Sequence, residues 1–162
     1  VGNRWYEDYL VKKITLFEPN FFWLDKNLSF KSENPLGNKE IELSYKELEE
    51  FCKSFEEKYS ITTDIKQSNL EGILIDLLQY GNDRFDGVIL NAGAFTHYSY
   101  ALYDAIKSIQ IPVVEVHLSD VNNREEFRKI SVIKPACIAT VSGLGFNSYE
   151  EGLKILLKEV TK

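Results

Sequence analysis

Asp86–Asn91 reads DGVILN, and Ala92–Asp104 continues it as AGAFTHYSYALYD. The first half is a short apolar run, the pattern of a central strand covered on both faces in a parallel sheet. The second half begins with Asn and Gly, residues that end strands, and carries Thr and Ser, residues that start helices. Behind them Ala101, Leu102, Ala105, Ile106 and Ile109 recur at helical spacing. A buried strand that passes through a polar turn into a helix is the building unit of α/β proteins, and the turn is where such proteins bind ligands.

The same alternation extends in both directions. Upstream, KKITLF (12–17) reads as a strand, and Ser44 with Glu47 forms a capping box ahead of a helical face of Leu48, Phe51, Phe55 and Tyr59. ITTDIKQ (61–67) alternates as a strand does, and Leu70, Ile73, Leu74, Leu77 and Leu78 make an amphipathic helix ended by Gly81. Downstream, Pro112 opens VVEVHL as a further buried strand, NNREEFRKI (122–130) reads as polar and helical, and ACIATVS (136–142) is the last strand. Ser148 and Glu151 form a second capping box before Leu153, Leu156, Leu157 and Val160. Five strands alternating with helices imply right-handed crossovers and one doubly wound, mostly parallel sheet. The chain reads as one domain over 1–162, with a polar, aromatic extension at 1–11. The aperiodic stretch from Pro19 to Lys39 is long for a compact domain and has the character of a lid or binding loop.

With 162 residues, 44% of them apolar and 27% charged, the composition is that of an ordinary globule with room for a core. A formal charge of -6 argues against nucleic acid as a partner. No apolar run approaches the roughly 20 residues of a membrane span, and the start lacks the apolar centre of a signal peptide. Cys52 and Cys137 have no metal-ligand spacing and read as reduced core thiols. The expected location is the cytoplasm.

Polar residues recur where strands end: Asn20, QSN (67–69), NAGAFTH (91–97), then Glu115, His117 and Ser119. In a parallel sheet these ends share one rim. His97 and His117 are the only histidines, and both fall there. Glu115 and His117 are two apart, so a regular strand points them to one face, where the carboxylate fixes the imidazole tautomer and favours its charged form. The alternative is a satisfied polar pair without chemistry. Asp104 faces either solvent or a neighbouring subunit. Arg124 and Arg128, four apart, are either a solvated pair or a means of reaching back to an anion. SGLGFNS (142–148) reads as a turn before the last helix. Phosphate-loop, GxSxG, HExxH and CxxC patterns are absent, so phosphoryl transfer, serine hydrolysis and zinc chemistry lose most of their support.

Taken together, QSNLEG, DGVILNAGAFTHYSYALYDAI and IPVVEVHLSDVNNREEFR resemble type II 3-dehydroquinate dehydratase, from about Lys12 to the C-terminus. The resemblance implies a flavodoxin-like three-layer sandwich with a five-stranded parallel sheet. It also implies no cofactor, and assembly as a homo-oligomer built from trimers, commonly a dodecamer. The implied reaction removes water from 3-dehydroquinate through an enolate to give 3-dehydroshikimate. It makes His117 the general acid for the departing hydroxyl and Glu115 the carboxylate that positions it. Asn91, Gly93 and His97 match substrate contacts, Leu118 and Ser119 the segment that takes the substrate carboxylate, and Arg128 the arginine on the ring hydroxyls. Asp104 matches an aspartate presented to a neighbour's site, and Asn20 the asparagine that supports the enolate through a water. The lid departs from the pattern. Where the family carries an arginine and then a tyrosine base, the same spacing lands on Asn27 and Ser32, or on Leu36 if ENPLG is slid into register. Two readings follow: a dehydratase whose base comes from elsewhere, such as Tyr6 or Tyr9, or a non-catalytic homologue that binds a related cyclic carboxylic acid.

Overall fold

The computed structural model describes residues 12–18 and 45–162. The lid at 19–39, Asn20, Ser44 of the first capping box and the 1–11 extension therefore lie outside the described residues. Five strands, β1 (Lys12–Glu18), β2 (Ile61–Gln67), β3 (Gly87–Leu90), β4 (Val113–His117) and β5 (Ala139–Ser142), form one sheet in the order β2-β1-β3-β4-β5. Every pairing is parallel. This is the flavodoxin-like order.

Among the described residues four α-helices cover the sheet: α1 (Tyr45–Tyr59), α2 (Glu71–Gly81), α3 (Tyr100–Ser108) and α4 (Asn147–Val160). Alternation along each strand divides the core between the two faces. Ile89, Val114 and Val116 pack with Leu48, Phe55, Leu153 and Leu156 of α1 and α4. Val88, Leu90 and Val113 pack with Leu74, Leu78, Leu102 and Ile106 of α2 and α3. Each fully covered side chain of this size contributes about 1.5–3 kcal/mol. β3 and β4 are buried at every position: β3 is wholly apolar, as a central parallel strand is, whereas β4 carries Glu115 and His117 on one of its buried faces. On α4, Gly152 replaces a side chain with contact: a Cβ there would stand 2.9 Å from Val116 Cγ1 and 3.3 Å from Val114 Cγ1.

Several local expectations are corrected. Residues 122–130 are not an α-helix but two short 3-10 turns, Val121–Asn123 and Glu126–Lys129. The Asp120 carboxylate accepts from Asn122 N and Asn123 Nδ2, closing a tight local turn, and Arg124 is extended between the two turns. The last strand begins at Ala139 rather than Ala136, because Lys134–Ala136 forms a 3-10 turn around Pro135. The second capping box does not form. α4 starts at Asn147, one residue before Ser148, whose Oγ instead accepts from Leu144 N at 3.2 Å. Gly81 ends α2 in right-handed geometry that runs on through Asn82, with no left-handed cap. On the same helix Leu74 and Leu78 are buried, whereas Ile73, and Leu70 just ahead of it, are exposed.

Candidate active site

β4 ends with Glu115 and His117 on one side of the sheet, the side that Val113 also faces. The expected same-face pairing is present: His117 Nε2 donates to Glu115 Oε1 at 2.7 Å. Glu115 has no exposed surface and His117 is 7% exposed. Three hydroxyls complete the carboxylate's surroundings. Thr96 donates to Oε1, Ser131 donates to Oε1 at 2.8 Å, and Thr140 donates to Oε2 at 2.9 Å. Thr140 reaches it because β4 and β5 run in register, with Glu115 opposite Thr140. Burial alone would push the Glu115 carboxyl up, but the donors His117, Thr96 and Ser131 outweigh it and hold the group below the usual carboxylate range. Since Nε2 is committed to Glu115, a second proton on this imidazole sits on Nδ1.

The turn after β3 brings in the next residues. Asn91 is buried, and its Oδ1 accepts from Gly93 N at 3.1 Å. Gly93 has φ +53°, a left-handed conformation that costs glycine little, and it opens the 3-10 turn Gly93–His97. That turn is clamped to the 130–132 segment, because Val132 N donates to Thr96 O at 2.7 Å and His97 Nδ1 donates to Ile130 O at 2.6 Å. A carbonyl can only accept, so the neutral His97 ring carries its proton on Nδ1 and leaves Nε2 as an acceptor. Its ring meets Phe127 edge-on, with centroids 5.9 Å apart. Ser99 then caps α3 by accepting from Leu102 N at 3.0 Å. Thr96 is the joint: its backbone holds the turn while its hydroxyl holds Glu115.

Of the remaining candidates, Leu118 and Ser119 follow His117 directly at the strand end, Leu118 half-buried and Ser119 exposed. Leu118 O accepts from Gly145 N at 3.0 Å, and His117 O from Gly143 N at 3.3 Å. Gly143 (φ +84°) and Gly145 (φ +59°) make SGLGFNS the expected turn, and it buttresses the His117–Leu118 backbone. Of the two arginines, Arg124 approaches the strand end, with Nη1 3.3 Å from Ser119 Oγ. Arg128 lies over the Phe127 ring, and its Nε is 3.0 Å from Glu125 Oε2, an ion pair too far off line for a hydrogen bond. Asp104 is exposed on α3 and, within the protomer, does not join the Glu115 cluster. Asn20 lies outside the described residues.

Thr96, Ser131 and Thr140 were not singled out from the sequence. Thr96 sits inside NAGAFTH, where a hydroxyl beside His97 was a usable signal. Ser131 and Thr140 become neighbours of Glu115 only through register and chain path. Cys137 also feels this centre: burial, then the Glu115 charge, pushes its thiol up to about 12. Cys52 and Cys137 are not joined in a disulfide. Among the described residues no group of His, Cys, Asp and Glu could hold a metal ion. A cavity of about 410 Å³ lies at the opposite rim, bounded by Ile106, Ile109, Pro112, Ile138 and Val160, away from this chemistry.

The protein is thus of the doubly wound α/β class, with a buried carboxylate–imidazole pair at the carboxyl rim of the sheet, where open α/β folds bind ligands. Residues 31–157 match the family described as Dehydroquinase class II. The chain is 45% identical over 133 residues to the 3-dehydroquinate dehydratase of Clostridium acetobutylicum, covering 80% of this chain and 92% of that one. It is 44% identical over 151 residues to the 3-dehydroquinate dehydratase of Anoxybacillus flavithermus, covering 93% and 97%. The crystal structure of type II dehydroquinase from Butyrivibrio crossotus superposes with a TM-score of 0.78 at 34% identity, over 92% of this chain and 99% of that one. The chain belongs to the class II dehydroquinase family.

Proposed function

We propose that this chain is a 3-dehydroquinate dehydratase, a hydro-lyase that converts 3-dehydroquinate to 3-dehydroshikimate and water. The observation that carries the reading is the Glu115–His117 pair, closed at 2.7 Å and set at the sheet rim of a class II dehydroquinase chain. A base removes a proton from the carbon beside the ketone, and the resulting enolate expels the hydroxyl. That hydroxyl leaves as water by taking the proton on His117 Nδ1. Glu115 stays ionised throughout and stabilises the imidazolium that makes the transfer possible.

Asn91, Gly93 and the acceptor Nε2 of His97 face the substrate's polar groups, and Leu118 and Ser119 supply backbone and hydroxyl donors for its carboxylate. Arg128 reaches the ring hydroxyls once it turns from Glu125, and Asn20 steadies the enolate through a water. Asp104 serves the site of a neighbouring subunit. The chain is a single domain over 1–162 whose 19–39 segment acts as the lid, and it assembles into a homo-oligomer built from trimers. Exposed Tyr98, Tyr100, Phe127 and Ile130 beside the site support that assembly. Cys52 and Cys137, which are not joined in a disulfide, support a cytoplasmic location.

Since the lid sequence contains no tyrosine, the base is assigned to the N-terminal extension, at Tyr6 or Tyr9. An absorbance assay for 3-dehydroshikimate tests the whole reading. Turnover should exceed that of His117→Ala and should vanish in either Tyr6→Phe or Tyr9→Phe. Turnover equal to the His117→Ala control would leave a non-catalytic binder of a cyclic carboxylic acid.

A further inference from the structure

We propose that Thr140 and Ser131 are positioning residues for the acid pair, holding Glu115 ionised and in the plane that presents Oε1 to His117 Nε2. The inference rests on the reading of His117 as the acid, and it adds a support that lies outside the sequence motifs. Its basis is the hydrogen-bond account of one carboxylate without solvent. Oε1 faces His117 Nε2, Thr96 and Ser131, whereas Oε2 has Thr140, at 2.9 Å, as its hydroxyl donor. A carboxylate anchored at one oxygen can still rotate about its Cγ–Cδ bond, and the Thr140 bond from the adjacent strand removes that freedom.

Ser131 is fixed in turn. Its Oγ accepts from Lys134 N at 3.0 Å at the start of the Lys134–Ala136 turn, and it lies 3.0 Å from Thr96 Oγ1. With one lone pair committed to that amide, the Ser131 proton is directed into the carboxylate cluster. The polar contacts therefore come from three separate places in the chain: the turn after β3, the 131–134 segment and β5. The titratable groups that face Glu115 are His117 on its own strand and Cys137 on the segment leading into β5, and the thiol is neutral at working pH. Charged Glu115 thus depends on uncharged hydroxyls rather than on a buried cation, apart from the imidazole it serves.

Removing a donor to a buried charge disfavours the charged form, so Thr140→Val should raise the pH at which Glu115 takes a proton. A hydrogen bond to a charged group is worth about tenfold or more in an equilibrium constant, which is about one pH unit. The experiment is a carboxyl ¹³C titration of the full chain labelled at glutamate Cδ, with the Glu115 signal assigned by its loss in Glu115→Gln. Thr140→Val should move the midpoint up by about one pH unit, Thr140→Ser should restore it, and Ser131→Ala should move it in the same direction. In the dehydratase assay Thr140→Val should lower kcat about tenfold, with KM changed less than about twofold. An unmoved midpoint in a folded Thr140→Val or Ser131→Ala variant overturns the inference. A moved midpoint in a chain without turnover supports it while removing the dehydratase reading, so the two can fail separately. If Thr140→Val does not fold, Thr140→Ala removes the same hydroxyl and gives the same comparison against Thr140→Ser.

Discussion

Glu115 combines two properties that normally oppose each other, complete burial and a carboxyl held below its ordinary range. That combination has a defined effect on stability. A group whose folded value is depressed contributes stability above the unfolded value of about 4.3, and the contribution is lost as pH falls through the folded value. Glu115→Gln should therefore be less stable than the parent at neutral pH and less sensitive to acid below about pH 4.3, as followed by thermal melts across pH. His117→Ala should lower kcat by about 10²–10⁴-fold in the 3-dehydroshikimate assay, the range expected for a positioned acid. Cys137, with its thiol near 12, should resist iodoacetamide at pH 8 in the folded chain and react only on unfolding, as read by mass spectrometry. The strand period makes the Glu115–His117 pair legible from two positions in VEVHL. Thr140 is invisible by the same reasoning, because it needs the β4–β5 register, which no local pattern encodes.

Elements were read from the sequence in proportion to the strength of their own periodicity. β3, wholly apolar, β4, apolar apart from Glu115 and His117, and α1, with its face at Leu48, Phe51, Phe55 and Tyr59, stand where the pattern puts them. The 122–130 segment has helix-forming residues but no apolar face, and the Asp120 side chain settles it into tight turns instead. Ser148 followed by Glu151 resembles a cap, yet after the glycine turn at 143–145 α4 is capped at Phe146, two residues earlier, and the Ser148 hydroxyl accepts backward from Leu144 N. The α4–β4 contact gives a prediction at this scale. Gly152→Ala puts a methyl 2.9 Å from Val116 Cγ1, directly behind the strand that carries the acid pair. Such overpacking should cost about 1–3 kcal/mol in a urea titration.

The whole molecule places its chemistry at one rim because every strand runs the same way. The fold was legible at this level, since alternating strands and helices admit few topologies. The 19–39 segment, expected as a lid, has no period in its sequence from which a shape follows, and it lies outside the described residues. Assembly is the property a single chain shows least directly. Its exposed aromatics Tyr98 and Tyr100 lie between His97 and Asp104 in sequence, so the surface near the site is apolar where a solvated one would be charged. Light scattering should give a mass that is a multiple of three times 18.7 kDa, and Tyr100→Asp should reduce it.

The strand order has a further consequence for biosynthesis. β1 occupies an interior position, and Ile14 pairs with Gly87, 73 residues later (87 − 14). At ribosomal speeds of about 5–20 residues per second, the nascent β1 waits roughly 4–15 s for that neighbour. For the first 49 residues of this interval (63 − 14) β1 has no strand neighbour, and after that it can pair on one side only, with β2, so the growing polypeptide should be most open to proteolysis and chaperone capture before β3 is made.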